Sequence, residues 1–102
     1  MALASEVQPT SEAAPTALSH AKVTVTTAGT RVQFATTTIK SVTVKATAAN
    51  TGIIYFGNSA VAASNGFPLA AGDSVSVDIS NTNIIWVDSS VSGESCAWVG
   101  VN

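Results

Sequence analysis

Two short runs constrain this chain more than anything else in it. Ile53-Ile54-Tyr55-Phe56 and Ile84-Ile85-Trp86-Val87 are apolar at every position. Runs of this length are too short for a stable helix and too apolar for an exposed loop. Read as strands, they have no polar face to turn towards water. Each must therefore lie in the middle of a sheet or beneath another layer. The run at Ile53 follows Asn50-Thr51-Gly52, and the run at Ile84 follows Asn81-Thr82-Asn83. Asn, Gly and Thr favour turns because their backbones or side chains satisfy local hydrogen bonds outside regular structure.

Around these runs the period is two. Val23 and Val25 alternate with Thr24 and Thr26, and Ala28-Gly29-Thr30 reads as a turn. Val32 and Phe34 alternate with Arg31, Gln33 and Ala35. Val42, Val44 and Ala46 point one way, with Thr43 and Lys45 pointing the other. Residues 58–72 read as a long loop with a turn at Asn65-Gly66, and Pro68 holds the chain extended. Val75, Val77 and Ile79 alternate with Ser74, Ser76 and Asp78. Ser92-Gly93 reads as a hairpin turn into a last strand. There Ala97, Val99 and Val101 face away from Cys96, Trp98 and Gly100. Alternation of this kind describes half-buried strands. The expectation is an all-β domain: a single small antiparallel β-sandwich of about seven strands, jelly-roll-like or immunoglobulin-like. It would span residues 22–102. Residues 1–21 contain Pro9, Pro15 and no sustained period, and read as an extended N-terminal arm. If that arm orders on a neighbouring subunit, Leu3, Val7 and Leu18 are its anchors.

Charge limits the partners. Lys22, Arg31, Lys40 and Lys45 stand against six carboxylates, for a net charge of −2. Scattered basic residues argue against nucleic acid, which selects a basic stripe that neutralises phosphates. Residues 46–72 carry no charged side chain, but Asn50, Gly52, Asn58, Asn65 and Pro68 break them up, so a membrane-spanning helix is not expected. The N-terminus lacks a basic segment followed by an apolar run, so synthesis in the cytoplasm is expected.

Catalytic chemistry has little to stand on. His20 is the one histidine and falls at the arm boundary, where an exposed linker role is expected. Cys96, the one cysteine, excludes an internal disulfide and reads as a small packed hydrophobe. Gly52 and Gly57 have the spacing of a phosphate loop, but Asn58 stands where its lysine belongs. Asp73, Asp78, Asp88 and Glu94 are isolated carboxylates, read as solvated charge rather than a calcium loop. Tyr55, Phe56, Trp86 and Trp98 could form a sugar-stacking platform, but Tyr55 and Trp86 are expected in the core, whereas Trp98 is a candidate for an exposed contact. Neither an enzyme nor a cofactor is expected.

Several segments come in a familiar order: Val25–Phe34, Lys40–Ala46, Asn50–Val61, Asn65–Val75 and Asn81–Asp88. The "N-T-G-x-I-Y-x-G" piece at 50–57 and "P-L-A-A-G-D-S" at 68–74 are the most distinctive. Together, over about residues 23–102, they resemble a module of tailed-bacteriophage virion proteins, found as capsid decoration proteins or as a domain of fibre proteins. The resemblance implies a structural protein that decorates and stabilises the capsid exterior as a cement protein. The implied partner is the major capsid protein, the implied location the virion surface, and the favoured assembly a homotrimer. The alternative is a receptor- or carbohydrate-binding module of a head fibre or tail fibre. The candidate interface residues are Leu3, Val7, Leu18 and Trp98.

Overall fold

The computed structural model describes residues 13–102. They contain eight strands: β1 (Leu18–Val25), β2 (Val32–Gln33), β3 (Ser41–Ala46), β4 (Ile54–Gly57), β5 (Phe67–Leu69), β6 (Ser74–Val77), β7 (Trp86–Ser89) and β8 (Glu94–Val101). A 3-10 turn covers Thr82–Ile84. The strands form two four-stranded antiparallel sheets, ordered β1-β8-β3-β6 and β2-β7-β4-β5. The expected all-β sandwich is what the chain forms.

The strand order distinguishes between the two expected kinds of sandwich. β1 pairs with β8, β2 with β7, β3 with β6 and β4 with β5. This nested pairing is that of one long hairpin rolled up so that successive strand pairs alternate between sheets. Eight strands in two sheets with this connectivity make a jelly roll. Only the β4–β5 connection stays within one sheet; the others cross between sheets. Ser92-Gly93 is thus not a hairpin turn within a sheet. It lies in the crossover from β7 to β8.

Three boundaries differ from expectation. β1 begins at Leu18 rather than Lys22, so Leu18–Ala21 belong to the sheet and not to an arm. Asn102 holds the entry to it: the Thr16 and Ala17 amides both donate to its carbonyl, each at 2.9 Å. Phe67–Leu69 is an additional strand inside the expected loop. Pro68 is tolerated there because β5 is an edge strand, which can lack one ladder donor. The run from Ile84 starts as a 3-10 turn, leaving Ile84 exposed and β7 starting at Trp86.

The central placement of the two apolar runs holds. β4 and β7 are the inner strands of the second sheet. Ile54 and Val87 are fully buried, as are Val25, Val44 and Ala46 from the first sheet. Phe34 and Trp98 stack between the sheets, with ring centroids 6.4 Å apart and planes 21° apart.

The two Asn-Thr turns are structural fixtures. Asn81 caps the 3-10 turn, its Oδ1 accepting from the amides of Asn83 (3.0 Å) and Thr37 (3.2 Å). Asn50 Nδ2 donates to the carbonyl of Ser95 at 2.8 Å. Gly52 has no room for a side chain: an added Cβ would collide with Ser90 Oγ and lie 2.7 Å from Val91 Cγ2. The glycine of the most distinctive motif is therefore explained by close backbone packing against the β7–β8 crossover.

Candidate interaction surface

The last strand decides which residues are available to a partner. Along β8, Cys96, Trp98 and Gly100 are buried, while Ala97 and Val99 are exposed and Val101 is half-buried. Trp98 is therefore a core residue, 6% exposed, and not an outward contact. The aromatic assignment reverses in the second sheet as well. Alternation along β4 and β7 places Tyr55 and Trp86 opposite in facing to the buried Ile54 and Val87. Both are half-buried and neither joins the core cluster, so the expected core role falls away.

The outward face of the first sheet is built in rows by the strand register. Lys22 lies opposite Ala97, which lies opposite Lys45 and then Ser74. The next row is His20, Val99, Thr43 and Ser76, where the Thr43 and Ser76 hydroxyls share a hydrogen bond of 2.7 Å. The third is Leu18, Val101 and Ser41. Leu18 is 68% exposed and Val99 42%. The first two rows form a shallow groove of about 440 Å³. Its centre is apolar, with Lys22 and Lys45 on either side, about 10 Å apart across two strand spacings. Among the described residues no carboxylate lines it. Two of the basic residues that look scattered in sequence thus come together: β8, the last strand, inserts between β1 and β3 and brings Lys22 and Lys45 onto one face.

The remaining candidates are placed as follows. Leu3 and Val7 lie outside the described residues. His20 is exposed on this sheet face and not in a linker. Cys96 is fully buried, and burial pushes its thiol pKa up to about 12, so it stays a neutral packed group. Asp88 is not solvated: it is 3% exposed, its Oδ1 accepting from the amides of Gly29 (2.9 Å) and Ser89 (2.7 Å). The loop after β4 spends its asparagines internally, Asn65 accepting from the Ala62 amide and donating to the Ala60 carbonyl. Among the described residues no three His, Cys, Asp or Glu side chains come together. No helix there is long and apolar enough to cross a membrane.

Glu94 braces the first Asn-Thr turn. Its carboxylate accepts from the amide (2.6 Å) and hydroxyl (2.8 Å) of Thr51 and from the Gly52 amide (2.9 Å). The Thr51 amide, above all, lowers its pKa from the ordinary 4.5. A lowered folded-state pKa contributes stability that is complete above 4.5 and is lost as pH falls through the folded value. The acid limb of the stability curve should therefore be shallower for Glu94→Gln than for wild type, as measured by denaturant unfolding from neutral pH downwards. Parallel curves would mean the turn does not depend on the charge.

Comparison with known protein families, curated proteins and solved structures finds no match to this chain.

Proposed function

We propose that this chain is a structural virion protein of a tailed bacteriophage, bound in many copies to the capsid exterior as a cement protein. The sequence resemblance over residues 23–102 supports the class. One structural observation supports the mode of binding: the outward face of the first sheet, apolar along Ala97, Val99 and Val101 and flanked by Lys22 and Lys45. Such a face suits an apolar patch with acidic neighbours on the major capsid protein. Repeated sites on one particle would add avidity to a modest contact. The resemblance favours a homotrimer as the bound form.

The test is rebinding. Purified protein should bind heads stripped of it and raise their thermal stability. Lys22→Glu with Lys45→Glu should lower that binding about tenfold by charge reversal, and raised salt should weaken the wild type in the same direction. Both lysines are exposed, so the fold should stay intact. No rebinding by the wild type would overturn the proposal.

A second reading has its own observation. Tyr55 and Trp86 face outward on the second sheet, as exposed rings do in carbohydrate-binding modules. Loss of glycan or cell binding in Trp86→Ala, with head binding unchanged, would favour the fibre-type receptor module.

A further inference from the structure

The four sheet edges are not protected alike. β2 is two residues long and leaves almost no edge. β5 is three residues long and carries Pro68. β6 is four residues long and lies between Asp73 and Asp78. Short strands, prolines and charges are the usual means of blunting an edge. β1 is eight residues long, with Lys22 its one Lys, Arg, Asp or Glu side chain. Nothing among the described residues pairs with its outer edge.

The direction of its free hydrogen-bonding groups follows from the ladder. Ala17 and Asn102 exchange both hydrogen bonds at 2.9 Å, and the β1–β8 register runs from there without a bulge. Ser19, Ala21 and Val23 therefore also point their amides and carbonyls at β8. Leu18, His20, Lys22 and Thr24 point theirs outward.

We propose that this edge pairs, antiparallel, with β1 of a second copy of the chain, about a twofold axis through Ala21. In that register Leu18 meets Thr24 of the other copy and His20 meets Lys22. Every outward-pointing residue finds a partner. Side-chain facing is also kept, because even-numbered residues meet even-numbered ones. Charge selects this register over its neighbours. An axis through Lys22 sets two ammonium groups opposite each other, and an axis through His20 leaves Thr24 without a partner in the strand. The product is one continuous eight-stranded sheet with the Lys22–Lys45 groove repeated on its outer face. The pair stands independently of any capsid role.

A strand edge alone buries less than the roughly 1,200 Å² of a standard interface, so the pair forms reversibly and is best read by trapping. Ala21 is exposed and would face its own copy in a non-hydrogen-bonded pair, with Cα atoms about 4.5 Å apart, within disulfide range. Under mild oxidation Ala21→Cys should give a disulfide-linked dimer on a non-reducing gel. The wild type, whose Cys96 is buried, should give none. Adding His20→Pro removes an outward donor from each copy without touching the β1–β8 ladder. It should lower the trapped dimer roughly thirtyfold while far-UV circular dichroism stays that of the folded domain. A monomeric Ala21→Cys protein, cross-linking indifferent to His20→Pro, or a threefold particle in light scattering without cross-links would each overturn the pairing.

Discussion

Trp98→Ala should cost about 3–5 kcal/mol of stability, the range for removing a large aromatic from a packed core. Trp98 is 6% exposed, stacks on Phe34, and its ring lies 3.3 Å from where a Cβ on Gly100 would sit. Nothing nearby can collapse cheaply into the space: β8 is fixed by ladders on both sides. For a domain of this size the loss is a fall of more than about 12 °C in melting temperature. Thermal unfolding by circular dichroism measures it directly. An unchanged melting temperature would mean that the ring is not part of the core. The result also governs any binding experiment, since loss of binding in this variant would report on folding and not on a contact.

Asp88→Ala should cost about 2–4 kcal/mol, because it leaves the buried Ser89 amide and the part-buried Gly29 amide without their acceptor. Asp88→Asn keeps a side-chain carbonyl oxygen of the same size and should retain most of that stability. Urea midpoints for the two variants separate hydrogen bonding from charge. If both fall equally, the charge matters; if neither falls, the loop carrying Gly29 is held by other contacts. The Ala28 amide, which donates to Ser92 Oγ at 2.9 Å, is the nearest such contact.

Much of the sandwich was legible because its signals were unambiguous. Val42, Val44 and Ala46 differ sharply from Thr43 and Lys45, so their facing could be read directly, and they are buried. The two apolar runs had no polar side to expose and lie centrally. The last strand was different. Cys96, Trp98 and Gly100 form one apolar set, and Ala97, Val99 and Val101 another. Period two then names two faces without saying which is inside. Packing decides: the large ring fills the space between sheets, and Gly100 admits Ile39 and the Ser41 carbonyl close to its backbone. A shift of one residue in such a reading inverts every assignment.

The rest depended on partners far away in sequence. Leu18-Ser19-His20-Ala21 has no alternation; it is a strand because β8 provides a ladder for it. Asp88 looks like a strand-end surface carboxylate until the segment around Gly29, 59 positions away, covers it. The juxtaposition of Lys22 and Lys45 is likewise created by insertion of β8 between two strands that are not neighbours in the sheet. Each is a tertiary effect that no local pattern records.

The nested pairing of strands has a consequence for the order of events during synthesis. β4 and β5 can meet as soon as both have left the ribosome, because their closure needs only the local loop between Gly57 and Phe67. The first sheet cannot be completed in that way. β8 is an inner strand of that sheet, between β1 and β3, so β1 waits for the last strand of the domain. Until then, the inward side chains of Val25 and Val44 have no Trp98 beside them, and the half-made chain presents unpaired strand edges. Long-range closure of this kind makes folding slow. Commitment to the native state should come late, after the whole domain has emerged, with the chain vulnerable to aggregation up to that moment.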